Sequence, residues 1–297
     1  MRLSSLSPSG SAAMHRHLRR RGLLRVASHN IMDGLFLRGL LARYRRHQRG
    51  PHALHALCIQ EAVPHAPSAI AAALGRRFAV VTHSAAPRLA LIYDRSRLRL
   101  RGLSVVMLPM LSRMHILQAL YTRIEQRHAI VGRFHWRGVR RPRSKCGLAL
   151  ANFHLDTAGD NLNRAAQLAS LATAIDASRP ASVVACGDTN CFSWDATVAE
   201  AGLARMLAPL ARRHGARDAH AMVAARPCGP RPTHFFARAN EPKLWHRLAV
   251  LFGTRLGLDF PRRYDVVAAS PQVLAAGTVE TPESDHDLVW AALRPPG

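Results

Sequence analysis

Apolar positions recur along this chain with two periods, one of strands and one of helices. Leu24-Arg25-Val26-Ala27-Ser28-His29-Asn30 alternates apolar with other residues, as a strand with one buried face does. Leu37, Leu40, Leu41 and Tyr44 then recur at helical spacing, with Arg38, Arg43, Arg45 and Arg46 on the other faces. Gly50-Pro51 stops that helix. Leu54 to Ile59 predicts the next strand, and Pro67 to Leu74 a second helix. Phe78 to Thr82 and Leu89 to Tyr93, with Pro87 between them, predict a hairpin, and Leu98 to Leu108 another strand. Residues 109 to 126 are ambiguous: Met110, Met114 and Leu117 fit a helix, while Ala119 to Ile124 alternates.

Ala129 to Trp136 and Gly147 to Leu155 predict a strand pair joined by the basic loop Arg137 to Lys145. Asp160 is placed to cap a helix whose core face holds Leu168, Leu171 and Ile175. After Pro180 comes a β-branched run, Ser182 to Cys186, that reads as a buried strand. A helix is expected from Asp195 to Leu207, and residues 211 to 263 show few clean periods. Tyr264 to Ala268 and Leu288 to Leu293 read as closing strands.

Polar residues recur at the ends of these strands: Asn30, Glu61, His154, Asp188 with Asn190, Asp265, and Asp285 with His286. In Gly187-Asp188-Thr189-Asn190 the glycine permits a sharp turn or a close approach of backbone. Ligands of α/β folds collect at the carboxyl ends of strands. Taken alone, the Gly-Asp-Thr-Asn ending also reads as an Asx-rich turn closing a strand; together the six strand ends hold the residue types of a metal-assisted phosphoester hydrolase.

Composition narrows the setting. At 297 residues the chain buries a sizeable core, and residues 23–297 are expected to form one domain after a mobile basic tail, residues 1–22. The formal net charge is +24, and Lys145 and Lys243 are the only lysines. An arginine excess of that kind suits polyanions or an anionic membrane surface, and it also arises from GC-rich coding. The five cysteines form no C-x-x-C pair, as fits a reduced, cytoplasmic protein without structural zinc. No apolar run approaches the length of a membrane span.

Six short pieces, in order, resemble the endonuclease/exonuclease/phosphatase superfamily of DNase I-like enzymes. They are Ser28-His29-Asn30, Ile59-Gln60-Glu61, Asn152-Phe153-His154-Leu155-Asp156, Gly187-Asp188-Thr189-Asn190, Arg263-Tyr264-Asp265-Val266-Val267 and Ser284-Asp285-His286. The resemblance implies a four-layer α/β sandwich, two packed and mainly antiparallel sheets flanked by helices, with the site at one edge. It implies Mg²⁺ or Mn²⁺ held by Glu61 with Asn30 and Asp285, since hard carboxylate oxygens suit these ions. Asp188 would orient and deprotonate the attacking water, and Asn190 would hold that water or a phosphoryl oxygen. Asp265 would orient His286 against the phosphoryl group, with His154 as the second histidine. His154 points away from the AP endonucleases, which tend to carry asparagine there. Asp287 departs from the family, which places a bulky residue after Ser-Asp-His. Segment 231–236 matches a substrate-side loop loosely, and residues 240–262 read as an insertion. The expected activity is phosphodiester cleavage of nucleic acid. The alternatives are a phospholipid or inositol-phosphate phosphoesterase, or a catalytically silent binder of nucleic acid or anionic membrane.

Overall fold

In a computed structural model of the chain, the described residues are 23–50, 53–110, 125–137, 147–157, 159–177, 180–191, 196–223, 232–233 and 263–294. The basic tail 1–22, most of the ambiguous stretch 109–126, the loop arginines beyond Arg137, most of segment 231–236 and the insertion 240–262 lie outside them.

Among the described residues, twelve strands form two six-stranded sheets. The first is ordered β11-β12-β1-β2-β4-β3, from β1 (Leu24–Asn30), β2 (Ala56–Gln60), β3 (Phe78–Val81), β4 (Ala90–Asp94), β11 (Val273–Val279) and β12 (Leu288–Leu293). The second is ordered β5-β6-β7-β8-β10-β9, from β5 (Leu98–Met107), β6 (His128–Trp136), β7 (Leu148–His154), β8 (Ser182–Asp188), β9 (Arg217–Asp218) and β10 (Asp265–Ala269). Each sheet has a parallel central pair, β1 with β2 and β7 with β8, and antiparallel pairs elsewhere. Each parallel pair is joined by a helical crossover, as parallel strands require: α1 (Leu37–Arg49) between β1 and β2, and α3 (Asn161–Asp176) between β7 and β8. The remaining helices are α2 (Ala66–Leu74), α4 (Ala196–His214) and the short α5 (Ala219–Val223).

Alternation along the strands sorts side chains into layers. Leu24 and Val26 of β1, Cys58 of β2, Leu148 and Leu150 of β7 and Val184 of β8 pack between the sheets. Ala27, Leu57 and Ile59 face the other way, with Leu40 and Tyr44 of α1 and Ile70 of α2. On the far side Ala149, Phe153 and Ala185 meet Leu168 and Leu171 of α3 and Met206 and Leu210 of α4. The result is the expected helix–sheet–sheet–helix sandwich. Asp160 caps α3 by accepting from the Asn163 N–H at 2.8 Å.

Two expectations need correcting. The helix read to stop at Leu207 continues through Pro209 to His214. Burial of Leu210 on the sheet outweighs the backbone bond that proline removes. Strand β11 was not predicted, because Ala275-Ala276-Gly277 lacks alternation and the strand is half-buried at a sheet edge.

Candidate active site

The alternation that builds the inter-sheet core also builds the site. Following Val26 and Ser28 along β1 by twos leads to Asn30; the same step leads to His154 on β7 and Asp188 on β8. The β7–β8 register sets His154 beside Asp188, and the β8–β10 register sets Asp188 beside Asp265. Backbone at this edge is strained. Among the described residues every non-glycine residue with positive φ lies just after a strand here: Met32 and Asp33 in the turn after β1, Glu61 at 53° and Asn190 at 48°. Such conformations cluster at functional sites. Gly187 serves close packing rather than a turn, since a Cβ there would lie 2.1 Å from the Phe153 carbonyl oxygen.

Beneath the edge lies a buried polar layer that joins the sheets. Gln60 Nε2 donates to Asn152 Oδ1 at 2.6 Å and to Ser28 Oγ at 3.1 Å. Asn152 Nδ2 donates to the carbonyls of Ile59 at 2.8 Å and Ala90 at 2.9 Å. Asn30, Glu61, His154, Asp188 and Asp265 stand above this layer.

The predicted residues come together. Asp265 Oδ2 lies 2.7 Å from His286 Nδ1. Asp188 Oδ2 lies 3.7 Å from both His286 Nε2 and His154 Nε2. The Asn30 amide donates to Asp188 Oδ2 and to Glu61 Oε1, each at 3.0 Å. His154 Nε2 is 3.9 Å from Glu61, and Asp285 is 3.9 Å from His286 Nε2. Two residues reach the site differently from expectation. The Asn30 oxygen accepts from the Met32 N–H at 3.1 Å, so its NH₂ group faces the carboxylates. Asn190 Nδ2 is taken by the Leu155 carbonyl at 2.9 Å, while the Asn190 backbone N–H caps Asp188 Oδ1 at 2.8 Å.

Burial and charge set the proton states. Burial alone would disfavour the His286 cation, yet the carboxylates of Asp265, Asp285 and Asp188 outweigh it and hold the ring well above its ordinary range. Burial raises Asp265 to about 6 despite His286. Asp188 is buried too, but His286, His154, the Asn190 N–H and Asn30 together bring it below the ordinary carboxylate value. Burial lifts Glu61, partly offset by the Asn30 hydrogen bond. His154 is pushed down to about 3 by burial and is neutral at pH 7.

The supporting roles of several residues are not legible in the sequence. Thr233 Oγ1 accepts from the N–H groups of Tyr264 and Asp265, each at 3.0 Å, and the Thr233 carbonyl accepts from Asp287 at 2.7 Å. Asp287, the departure from the family pattern, turns its carboxylate to the Thr281 N–H at 3.0 Å. The His286 carbonyl accepts from Thr281 Oγ1 at 2.5 Å and lies 3.3 Å from His29 Nε2. His29 Nδ1 in turn lies 2.6 Å from the Tyr44 hydroxyl, so α1 braces the His286 loop. Buried Arg263 pairs with Glu200 and Asp218 and anchors the start of β10.

The donor set fits a hard divalent cation. Asn30 joins Glu61 to Asp188 through its amide, Asp188 and Asp285 lie 3.7 and 3.9 Å from His286 Nε2, and Arg88 lies 3.4 Å from Glu61. Hard carboxylate oxygens of this kind suit Mg²⁺ or Mn²⁺. Asp188, Asp265 and His286 also place ligand-type atoms within 4.8 Å of one another. In that trio Asp265 Oδ2 and His286 Nδ1 are engaged with each other, which leaves Asp188 Oδ2 and His286 Nε2, 3.7 Å apart, as the ligand-type atoms outside that pairing.

No family model matches the sequence, and no curated protein matches it. Solved structures match by fold. TDP2 of D. rerio complexed with a single-strand DNA product superposes with a TM-score of 0.62 at 15% identity, covering 91% of this chain and 98% of that one. An endonuclease/exonuclease/phosphatase from Bacteroides vulgatus gives 0.60 at 17% identity, covering 92% and 99%. The human Nocturnin catalytic domain with bound sulfate gives 0.58 at 17% identity, covering 92% and 94%.

Proposed function

The chain has the DNase I-like fold, the fold of the endonuclease/exonuclease/phosphatase proteins it resembles, and we propose that it is a divalent-metal-dependent phosphodiesterase acting on nucleic acid. One observation carries the reading: ionised Asp188 lies 3.7 Å from two histidine Nε2 atoms and is joined through the Asn30 amide to Glu61. Those gaps suit a water and a phosphoryl oxygen.

Glu61 and Asp285 would hold Mg²⁺ or Mn²⁺, with Asn30 tethering Glu61 to Asp188. When bound, the ion polarises a phosphoryl oxygen and neutralises developing charge. Asp188 orients the attacking water and accepts its proton as the bond to phosphorus forms. The Asn190 N–H and the Asn30 amide keep the Asp188 carboxylate aimed at that water. His286, held as a cation by Asp265, donates from Nε2 to the phosphoryl group. Neutral His154 supplies one more hydrogen-bonding nitrogen; its Nε2 is buried without a hydrogen-bond partner among the described residues.

Nucleic acid is favoured by the arginine-rich net charge of +24 and by the fold shared with a DNA-bound TDP2. No helix among the described residues is long and apolar enough to cross a membrane. Cys58, Cys186 and Cys191 are buried free thiols, as suits the reduced, cytoplasmic setting we assign. A panel of single-stranded DNA, plasmid DNA, RNA, sphingomyelin, phosphoinositides and bis-p-nitrophenyl phosphate, each with Mg²⁺, tests the reading. Cleavage of nucleic acid in preference to the lipids is expected. Turnover of lipids alone would move the assignment to a phospholipid phosphoesterase, and binding without turnover of any member to a silent binder.

A further inference from the structure

Beside the reacting groups lies a cleft of about 180 Å³ that the chemistry above does not use. It runs from His154 between the β3–β4 connection and the residues entering β6, with Ala86, Pro87 and Leu89 on one wall and Arg127 on the other. Its cations differ in what they already hold. Arg88 is engaged by Asp33 and by Glu61. Arg127 is half-buried, and no carboxylate of the described residues pairs with it. It is close enough to His154 to add to the forces that keep that ring neutral. At the junction with the site is His154 Nε2, a buried nitrogen without a hydrogen-bond partner. Glu125 also lines the cleft, but it is exposed and screened by solvent.

We propose that this cleft is a subsite for a second phosphate, one sugar–phosphate unit away from the scissile one, with Arg127 as its receptor. A guanidinium without a partner carboxylate presents a planar fork of donors that matches phosphate. The wall of Ala86, Pro87 and Leu89 suits the apolar face of the sugar or base between the two phosphates. The inference rests on the phosphodiesterase reading for its orientation, with the scissile phosphate at His154, but its ligand chemistry is separable from turnover.

The experiment is therefore binding. Thymidine 3′,5′-bisphosphate and thymidine 5′-monophosphate are titrated into the full-length protein by calorimetry, without metal and again with Mg²⁺. The bisphosphate should bind about 10- to 100-fold more tightly, the worth of one charge-assisted phosphate contact. Arg127→Met should bring the ratio of the two affinities close to one. Arg205→Met, on the exposed face of α4, should keep the wild-type ratio. Equal affinity of wild type for the two ligands would overturn the subsite, as would an unchanged ratio in Arg127→Met with circular dichroism like that of wild type. A preserved bisphosphate preference in a protein that hydrolyses nothing on the substrate panel would refute the catalytic reading and leave the subsite standing.

Discussion

Asn152 is where the two sheets are tied beneath the site, and replacing it with leucine has a calculable cost. The side chain is fully buried and makes three hydrogen bonds, at 2.6 Å from Gln60 and at 2.8 and 2.9 Å to the Ile59 and Ala90 carbonyls. At a net worth of about 1–1.5 kcal/mol each, their loss costs about 3–5 kcal/mol. Leucine keeps the branched shape and buries more apolar surface, which returns about 1–2 kcal/mol, although its larger volume must be fitted into a packed layer. The net loss of about 2–3 kcal/mol is a large share of the usual stability of about 5–15 kcal/mol. Urea denaturation of wild type and Asn152→Leu measures it: the midpoint should fall while the slope stays the same. Because Gln60 loses its partner next to Glu61, turnover of bis-p-nitrophenyl phosphate should also fall by more than the unfolded fraction explains. A stability loss below about 1 kcal/mol with full activity would show that the polar layer neither joins the sheets nor supports the site.

Two further perturbations probe charge. Asp265→Asn removes the carboxylate 2.7 Å from His286 and should lower kcat by about 10²–10⁴. The activity that needs the His286 cation is present below its folded pKa and lost above it, so the alkaline limb should move to lower pH; an unmoved limb would show that the pair does not set the cation. His55 accepts from the Arg25 N–H at Nδ1, and burial, aided by Arg97 and Arg25, brings it from 6.5 to about 4. The unfolded chain therefore takes up the proton first, so stability present above pH 6.5 is lost between there and pH 4, by up to about 3 kcal/mol. His55→Asn keeps an acceptor and should flatten urea stability across that window; an unchanged slope would assign the acid sensitivity elsewhere.

Local pattern made the frame of the fold legible. The alternation of β1, the helical spacing from Leu37 to Tyr44 and the β-branched run of β8 each reflect burial on one face or both, which leaves a periodic trace. The site was legible for a related reason: strand alternation carries one face to the sheet edge, and the residues ending that face are polar. What stayed hidden depends on contacts distant in the chain. Thr233 braces Asp265 from 32 positions away, and His29 supports the His286 carbonyl from 257 positions away. Neither residue type is unusual where it stands. The orientations of Asn30 and Asn190 were hidden too, because each amide is fixed by a neighbouring backbone group rather than by its own chemistry.

The central claim is that Glu61 and Asp188 serve one metal-assisted hydrolytic site, with Glu61 holding the ion and Asp188 the water. Initial rates on bis-p-nitrophenyl phosphate, titrated with Mg²⁺ after EDTA treatment, test it for wild type, Glu61→Gln and Asp188→Asn. Wild type should be inactive in EDTA and recover with Mg²⁺ or Mn²⁺. Glu61→Gln should need about tenfold more metal or greater for half-maximal rate, and Asp188→Asn should stay inactive at every metal concentration. Full wild-type activity in EDTA, or a Glu61→Gln metal response identical to wild type, would contradict the account.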